Sequence, residues 1–275
     1  MLNSTIILYG LFAGIVAILV TVSIEKFGGL IGGVLGTVPS TIIPAAAGVY
    51  ALEGDGALTA SMSVVPIGML INGMFLGVWI ILPKYIVNES FKLPITVFLS
   101  LCTWAVLALI SLIVARQVTN GMISELMLGM VGLALLAILS IMFNVKHRAT
   151  PKGENKVPIS ILSLRGVAAG LAIAACLVLA EIGLPFVAGL ASAFPAIFLT
   201  SMVALWLSQG PQVPQGAAAP MMLGGASVSV YALLAMWSLP SFGIIFGSAI
   251  AWFGAVILWT IPAFFALRKY HLGVD

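Results

Sequence analysis

Stretches of about 20 or more almost purely apolar residues, one after another, limit what this chain can fold into more than any other feature. About 20 residues of helix, rising 1.5 Å each, match the ~30 Å hydrocarbon core of a bilayer. Counting on that basis predicts nine spans, near 5–26, 28–52, 58–83, 93–115, 119–144, 159–182, 184–208, 216–238 and 242–267. A soluble domain carries about 25% charged residues, whereas this chain has 7%. So few charges cannot clothe a globular surface, and the expected class is an all-α integral membrane protein. Cys102 and Cys176 both fall inside apolar spans, where cysteine behaves as a small hydrophobe, and no disulfide framework or zinc spacing is present. The opening "MLNSTIILYG" has no positive n-region and is not read as a signal peptide.

The connections are short and polar: "EGDG", "KYIVNESFK", "RQVTNG" and "SQGPQVPQG". The longest, "KHRATPKGENKVP" at 146–158, reads as a solvated linker. Basic residues orient membrane proteins toward the cytoplasm. If 146–158 is cytoplasmic, so are Lys26, Lys84, Lys92, Arg165, Arg268 and Lys269, and only Arg116 of the 11 basic residues is left outside. The expectation is a multi-pass protein of the plasma (inner) membrane, N-terminus outside and C-terminus cytoplasmic. The net charge of +3 then serves orientation and not nucleic-acid binding.

Sliding the chain by about 156 residues aligns "LYGLFAGIVAILVTVSIEKFGGLIGGVLGTVPS" with "LRGVAAGLAIAACLVLAEIGLPFVAGLASAFPA" without a gap. Gly10 meets Gly166, Gly14 meets Gly170, Glu25 meets Glu181, Gly33 meets Gly189, Pro39 meets Pro195 and Gly54 meets Gly210. Coincident Glu and Pro are informative because both are scarce in the spans. Five spans separate the starts of the repeats, and an odd number reverses orientation. The predicted organisation is a first four-helix repeat (1–116), a linking helix (117–145), a cytoplasmic loop (146–158) and a second, inverted four-helix repeat (159–275).

The segments "GLPFVAGLASAFPAIFLTSMVALW" and "FGIIFGSAIAWFGAVILW" resemble the GlpM family of small four-helix bacterial membrane proteins. The likeness covers roughly 160–265 and, more faintly, "GGLIGGVLGTVPS" in the first half. It implies a fused, inverted duplication of a four-helix ancestor and carries no firm activity with it.

Candidate site residues follow from the helix breakers. A proline inside a helix removes one N–H and displaces the carbonyl four residues back. Pro39 should free the carbonyl of Leu35, and Pro195 that of Ala191. Both prolines fall near the midplane by depth, where freed groups must find protein or a watery cavity. Ser40, Thr41 and Thr200 flank the breaks, with Thr37 and Ser201 close by, while Asn72 and Ser227 lie at matching depth in the third and eighth spans. For the prolines a packing kink, and for Asn72 and Ser227 helix–helix adhesion, are the competing readings; for the serines adhesion is preferred. Glu25 and Glu181 are candidates for gating or coupling, or else helix-end carboxylates reaching the first amides of the next helices; with Lys26 beside Glu25, a plain solvated turn is the preferred reading. Glu125 is a weaker candidate of the same kind. Met122, Met127 and Met130, with Met221 and Met222, read as packing or lipid-facing groups, and His147 and His271 as solvated.

No phosphate loop, nucleophile triad or metal-ligand spacing occurs in the sequence, so neither an enzyme, a cofactor nor a metal is expected. The expected function is a secondary transporter of a small solute or ion working by alternating access, with its site at the midplane between broken helices two and seven. Few charges line that region, which favours a neutral or zwitterionic solute or a singly charged ion. The alternatives are a channel or passive facilitator and a non-transporting scaffold or accessory subunit. The expected partners are the lipid bilayer, the small solute or ion and a coupling proton or cation; a homodimer is an allowed assembly.

Overall fold

A computed structural model of the chain describes residues 3–27, 38–119, 121–146 and 159–272. Gly33, Leu35, Thr37 and nearly all of the 146–158 linker lie outside the described residues, as do the side chains of Glu25, Lys26, Arg116, His147 and His271. All regular structure among the described residues is helical. In chain order it comprises α1 (Ser4–Phe27), α2 (Ile43–Ile81) with a 3-10 turn (Leu82–Lys84), α3 (Glu89–Thr119) and α4 (Glu125–Lys146). Then come α5 (Ile159–Glu181), α6 (Pro185–Ser192), α7 (Ala196–Gln209) and α8 (Gln212–Ala255), with a π-helical turn (Val256–Thr260) leading into α9 (Ile261–Leu272).

Among the described residues, six stretches are long and apolar enough to cross a membrane: Ile43–Lys84, Glu89–Ala115, Glu125–Val145, Ile159–Glu181, Pro185–Gln209 and Gln212–Lys269. Two of them exceed a single crossing. The 58 residues of Gln212–Lys269 would extend about 87 Å as one straight helix. Each of the two is interrupted at a glycine with backbone angles that only glycine adopts easily. Gly54 has φ 75°, ψ −162° and Gly243 has φ 74°, ψ 176°. At Gly243 the chain reverses. The Ser238 hydroxyl donates to the Gly247 carbonyl at 2.8 Å, although residues nine apart on one helix would stand about 13 Å apart.

The fifth apolar span, expected from residue 119, starts later. Gly121, at φ 74°, turns the chain, and the Ser124 hydroxyl oxygen accepts the Met127 N–H at 3.2 Å as an N-cap. Glu125 therefore stands in the first turn of α4, where a carboxylate complements the helix dipole, and not several residues inside a helix.

The second arm of α2 forms the centre of the bundle. Its most apolar window is 72% buried, against 17% for α3 and 28% for α4. Phe75, Trp79 and Tyr231 are fully enclosed, whereas Leu8, Leu109, Ile113, Ile138, Ile245 and Phe246 are widely exposed. That outward apolar surface is what a lipid solvent accommodates and water does not.

Close helix crossings depend on glycine. Where α1 crosses α5, a Cβ on Gly10 would stand 3.2 Å from the Gly170 carbonyl oxygen, and one on Gly14 2.9 Å from that of Gly166. Where α6 crosses α2, a Cβ on Gly189 would stand 2.1 Å from the Ser61 carbonyl oxygen. The helix α4 lies against both α2 and α8. Gly132 admits the backbone of Ile67, and the Asn144 side-chain amide donates to the Ala219 carbonyl at 2.8 Å.

Candidate functional site: a cavity between two helix breaks

The break between α6 and α7 occupies Ala193, Phe194 and Pro195, and its hydrogen bonding differs from the simple proline expectation. The Ala191 carbonyl is not freed, because the Phe194 N–H donates to it at 3.1 Å. The Ala193 N–H likewise donates to the Leu190 carbonyl at 3.1 Å, closing the end of α6 as a tight turn. The Ala193 carbonyl has no backbone N–H partner among the described residues. Asn72, from the second arm of α2, donates its Nδ2 to that oxygen at 2.8 Å. A buried amide thus reaches across to satisfy a backbone group that the broken helix abandons.

Non-helical residues 38–42 precede α2. Pro39 is buried, the Ser40 N–H donates to the Val38 carbonyl at 2.7 Å, and helical bonding resumes with the Ala46 N–H on the Ile42 carbonyl at 3.0 Å. Neither Ile42, the N-cap of α2, nor Pro195, the N-cap of α7, supplies a capping side chain. The first helical bond of α7 is Leu199 N–H to Pro195 carbonyl at 2.8 Å. Among the described residues, the amides of Ile197 and Phe198 have no acceptor in the protein.

These two uncapped helix starts face a common cavity of about 80 Å³. Val38, Thr41 and Ile42 come from the first break, and Ser192, Ala193, Phe194, Ala196, Ile197 and Phe198 from the second. Met69 and Asn72 of α2, Ala169, Ala172 and Ile173 of α5, and Gly225 and Val228 of α8 complete the wall. Among the described residues, no ionisable side chain lines it. Its charge character therefore comes from backbone: the first turn of α7 brings the unpaired amides of Ile197 and Phe198 to the wall, whereas the first turn of α2, with Pro44 as its second residue, lies outside it. Asn72 is 2% exposed, and its Oδ1, itself enclosed, has no hydrogen-bond partner among the described residues. The amide orientation follows from chemistry, since a carbonyl such as Ala193 can only accept and must face the NH2 group.

Of the residues singled out from sequence, Thr41 and Asn72 line the cavity. Pro39 and Pro195 are buried beside it and set the breaks. Ser40 is turned away, its hydroxyl oxygen accepting the Trp252 Nε1–H at 3.3 Å. Thr200 lies one turn beyond Ala196, donating to the Ala196 carbonyl at 2.8 Å and accepting from Arg165 Nε at 3.3 Å. Ser227 is buried on α8 next to the lining residues but does not itself line the space. Glu25 occupies the last turns of α1. Glu181 ends α5 in an exposed position, where its Oε1 accepts from Asn3 Nδ2 at 3.4 Å. The first amides of the following helix are not its partner.

Two functional-looking groups escaped the sequence reading. Arg165 was counted among the interfacial cations, yet it is only 4% exposed and bonds Thr200 across the α5–α7 contact. Its position six residues into α5, about 9 Å along the axis, carried the signal. Asn144 had an equally plain signal, a lone amide in an apolar span, and it bridges α4 to α8. Among the described residues no cluster of His, Cys, Asp or Glu could hold a metal ion.

No family model, curated protein or solved structure matches this chain.

Proposed function

We propose that this protein is a secondary transporter of a small solute, alternating the access of one central site between the two faces of the membrane. The observation that carries this reading is the cavity between the non-helical residues before α2 and the break between α6 and α7, with two uncapped helix starts beside it and the buried Asn72 in its wall. Discontinuous helices whose positive ends meet a midplane site are a recurring device of such carriers.

The reading includes nine spans arranged as two inverted four-helix repeats about a linking helix. Three features support it. Gly54 and Gly210, 156 residues apart, leave the helix in the same way, at φ 75°, ψ −162° and φ 84°, ψ 171°. Pro39 and Pro195, at the same spacing, both sit in breaks. The α1–α5 crossing pairs Gly10 with Gly170 and Gly14 with Gly166. Exchanging each residue with its counterpart 156 positions away turns the first pair into the second, as a two-fold relation would. Duplication and inversion of a four-helix ancestor of the GlpM kind would account for this pattern. The interruptions at Gly54 and Gly243 divide the two overlong helices into separate crossings, and the N-terminus is placed outside with the linker and C-terminus in the cytoplasm.

The test needs no substrate. Cys102 and Cys176 are replaced by alanine, Ala172 in the cavity wall is replaced by cysteine, and vesicles of either orientation are treated with a membrane-impermeant maleimide. Alternating access predicts labelling from both faces with no steady ionic conductance. Labelling from both faces with conductance identifies a channel or facilitator. Labelling from one face or neither overturns the carrier reading and leaves a scaffold role.

A further inference from the structure

We infer that the Arg165–Thr200 contact closes the cavity at the end nearer the 146–158 linker, and that it must part before the site opens to that face. The closure deepens the transporter reading and rests on it. Placement along two helices carries the assignment. On α5 the wall begins at Ala169 and continues through Ala172 to Ile173. Arg165 stands on the same face of α5, one turn and about 6 Å nearer the linker. On α7 the wall includes Ala196 and Ile197, and Thr200 follows one turn later. Where the wall ends on both helices, Arg165 Nε donates to Thr200 Oγ1 at 3.3 Å. The Thr200 hydroxyl in turn donates to the Ala196 carbonyl at 2.8 Å, which holds its oxygen in position to accept. Arg165 is only 4% exposed. A cation inside an apolar helix is tolerated where it faces the bundle and finds a bond, and losing that bond is correspondingly costly.

The position of the cavity relative to the two halves gives the second line of support. Thr41 and Ile197, Met69 and Gly225, and Asn72 and Val228 are among five pairs of wall residues that stand 156 positions apart. The cavity therefore straddles the relation between the halves. The helix α5 departs from it. Ala169, Ala172 and Ile173 line the space, running from the α1–α5 crossing toward the Glu181 end of α5. Their counterparts on α1 run from the same crossing toward the linker end and do not line it. Two of them, Ala13 and Ala17, are sealed at 0% and 1% exposure. Next to Arg165, a Cβ on Gly166 would stand 2.7 Å from Ile18 Cδ1, so α1 is packed tightly at that level. Among the described residues, the space thus lies on the Glu181 side, and the linker side is shut where Arg165 meets Thr200.

Labelling with a membrane-impermeant maleimide, in vesicles of either orientation, tests the closure. Cys102 and Cys176 are replaced by alanine, and Val228, a wall residue on α8, is replaced by cysteine. An epitope inserted in 146–158 identifies the linker-bearing face. Thr200→Val nearly keeps the side-chain volume and removes the acceptor, while Arg165→Leu removes the donor. Each should raise the labelling rate from the linker-bearing face, relative to the opposite face, by about tenfold or more, the scale of one hydrogen bond to a charged group. Thr200→Ser keeps the acceptor and should stay within about twofold of the parent ratio. So should Asn3→Ala, which removes the bond to Glu181 at the other end of α5. Should Arg165→Leu misfold, Thr200→Val decides alone. An unchanged ratio in Thr200→Val, a rise from the opposite face, or the equal rise from both faces that general loosening produces would overturn the closure. Two-sided labelling at Ala172→Cys with an unchanged ratio at Val228→Cys would sink the closure and leave the carrier. A linker-face rise at Val228→Cys with one-sided labelling at Ala172→Cys would uphold the closure and sink the carrier reading alone.

Discussion

Gly189→Ala is the sharpest test of how the break is held in place. In a helix, alanine is favoured over glycine by about 1 kcal/mol, so local propensity predicts stabilisation. The packing predicts the reverse. A Cβ on Gly189 would lie 2.1 Å from the Ser61 carbonyl oxygen and 3.2 Å from its Cα. Reaching an ordinary contact of 3.4 Å requires α6 and α2 to separate by 1.3 Å, and both obstructing atoms are backbone, which no rotamer change can clear. Overpacking costs about 1–3 kcal/mol and occasionally more; against two backbone atoms the upper end applies, and less the ~1 kcal/mol gained in helix propensity a net loss of about 2 kcal/mol is expected. At about 2–4 °C per kcal/mol for a chain of this size, the melting temperature should fall by about 4–8 °C. The displacement also reaches the site. Ala193 follows α6 directly, and its 2.8 Å bond from Asn72 would lengthen beyond hydrogen-bonding range if the shift were transmitted in full. Thermal unfolding followed by tryptophan fluorescence in detergent measures the effect. Gly56→Ala is the control, since its Cβ would meet nothing within 4 Å and its φ is not positive. The reasoning is refuted if Gly189→Ala melts at or above the temperature of the Gly56→Ala protein.

Other expectations are separable from this one. Gly54→Ala and Gly210→Ala should each cost about 1–3 kcal/mol in the same melting assay, because their backbone angles lie in a region essentially reserved for glycine. Asn144→Leu leaves the Ala219 carbonyl without its side-chain donor and should destabilise by about 1–3 kcal/mol. An unchanged melting curve would remove α4's amide from the account of how α4 holds α8. Arg165→Leu breaks the bond to Thr200, and Arg165→Lys cannot restore the flat, directed Nε donor. Both should alter labelling of Ala172→Cys relative to the Arg165 protein, whereas equal labelling would separate this contact from the cavity. On the proposed nine-span topology, reporter fusions in the 146–158 linker and at the C-terminus should both read cytoplasmic, and an external signal from either would overturn that proposal.

Much of the architecture was legible because lipid compatibility is a one-dimensional property. Runs of apolar residues have to cross, so α1 and α5 lie within a residue or so of their expected bounds, and Gly121 and Ser124 account for the late start of α4. The two broken regions were legible for a similar local reason: proline lacks an N–H wherever it stands. What happens to the carbonyls near it is not local. Ala191 is satisfied by a turn three residues long, and Ala193 by Asn72, 121 positions earlier in the chain.

The same distinction divides the candidate site. Asn72 was visible as an amide in an apolar span, but its choice between adhesion and ligand contact depends on which atom is used. The structure gives Nδ2 to Ala193 and leaves Oδ1 unmatched. Ser40 and Thr41 are neighbours of identical apparent promise, and one faces Trp252 while the other faces the cavity. Arg165 looked like an orienting surface charge because a charge count ignores depth and helical face. By itself, then, the sequence determined the all-helical, apolar class and the prolines beside which helical bonding is interrupted, since these depend on composition and on each residue's own backbone chemistry. Only the tertiary structure decided which broken ends meet, which polar atoms cancel and which remain open, because those outcomes require groups distant in sequence to come within 3 Å of one another.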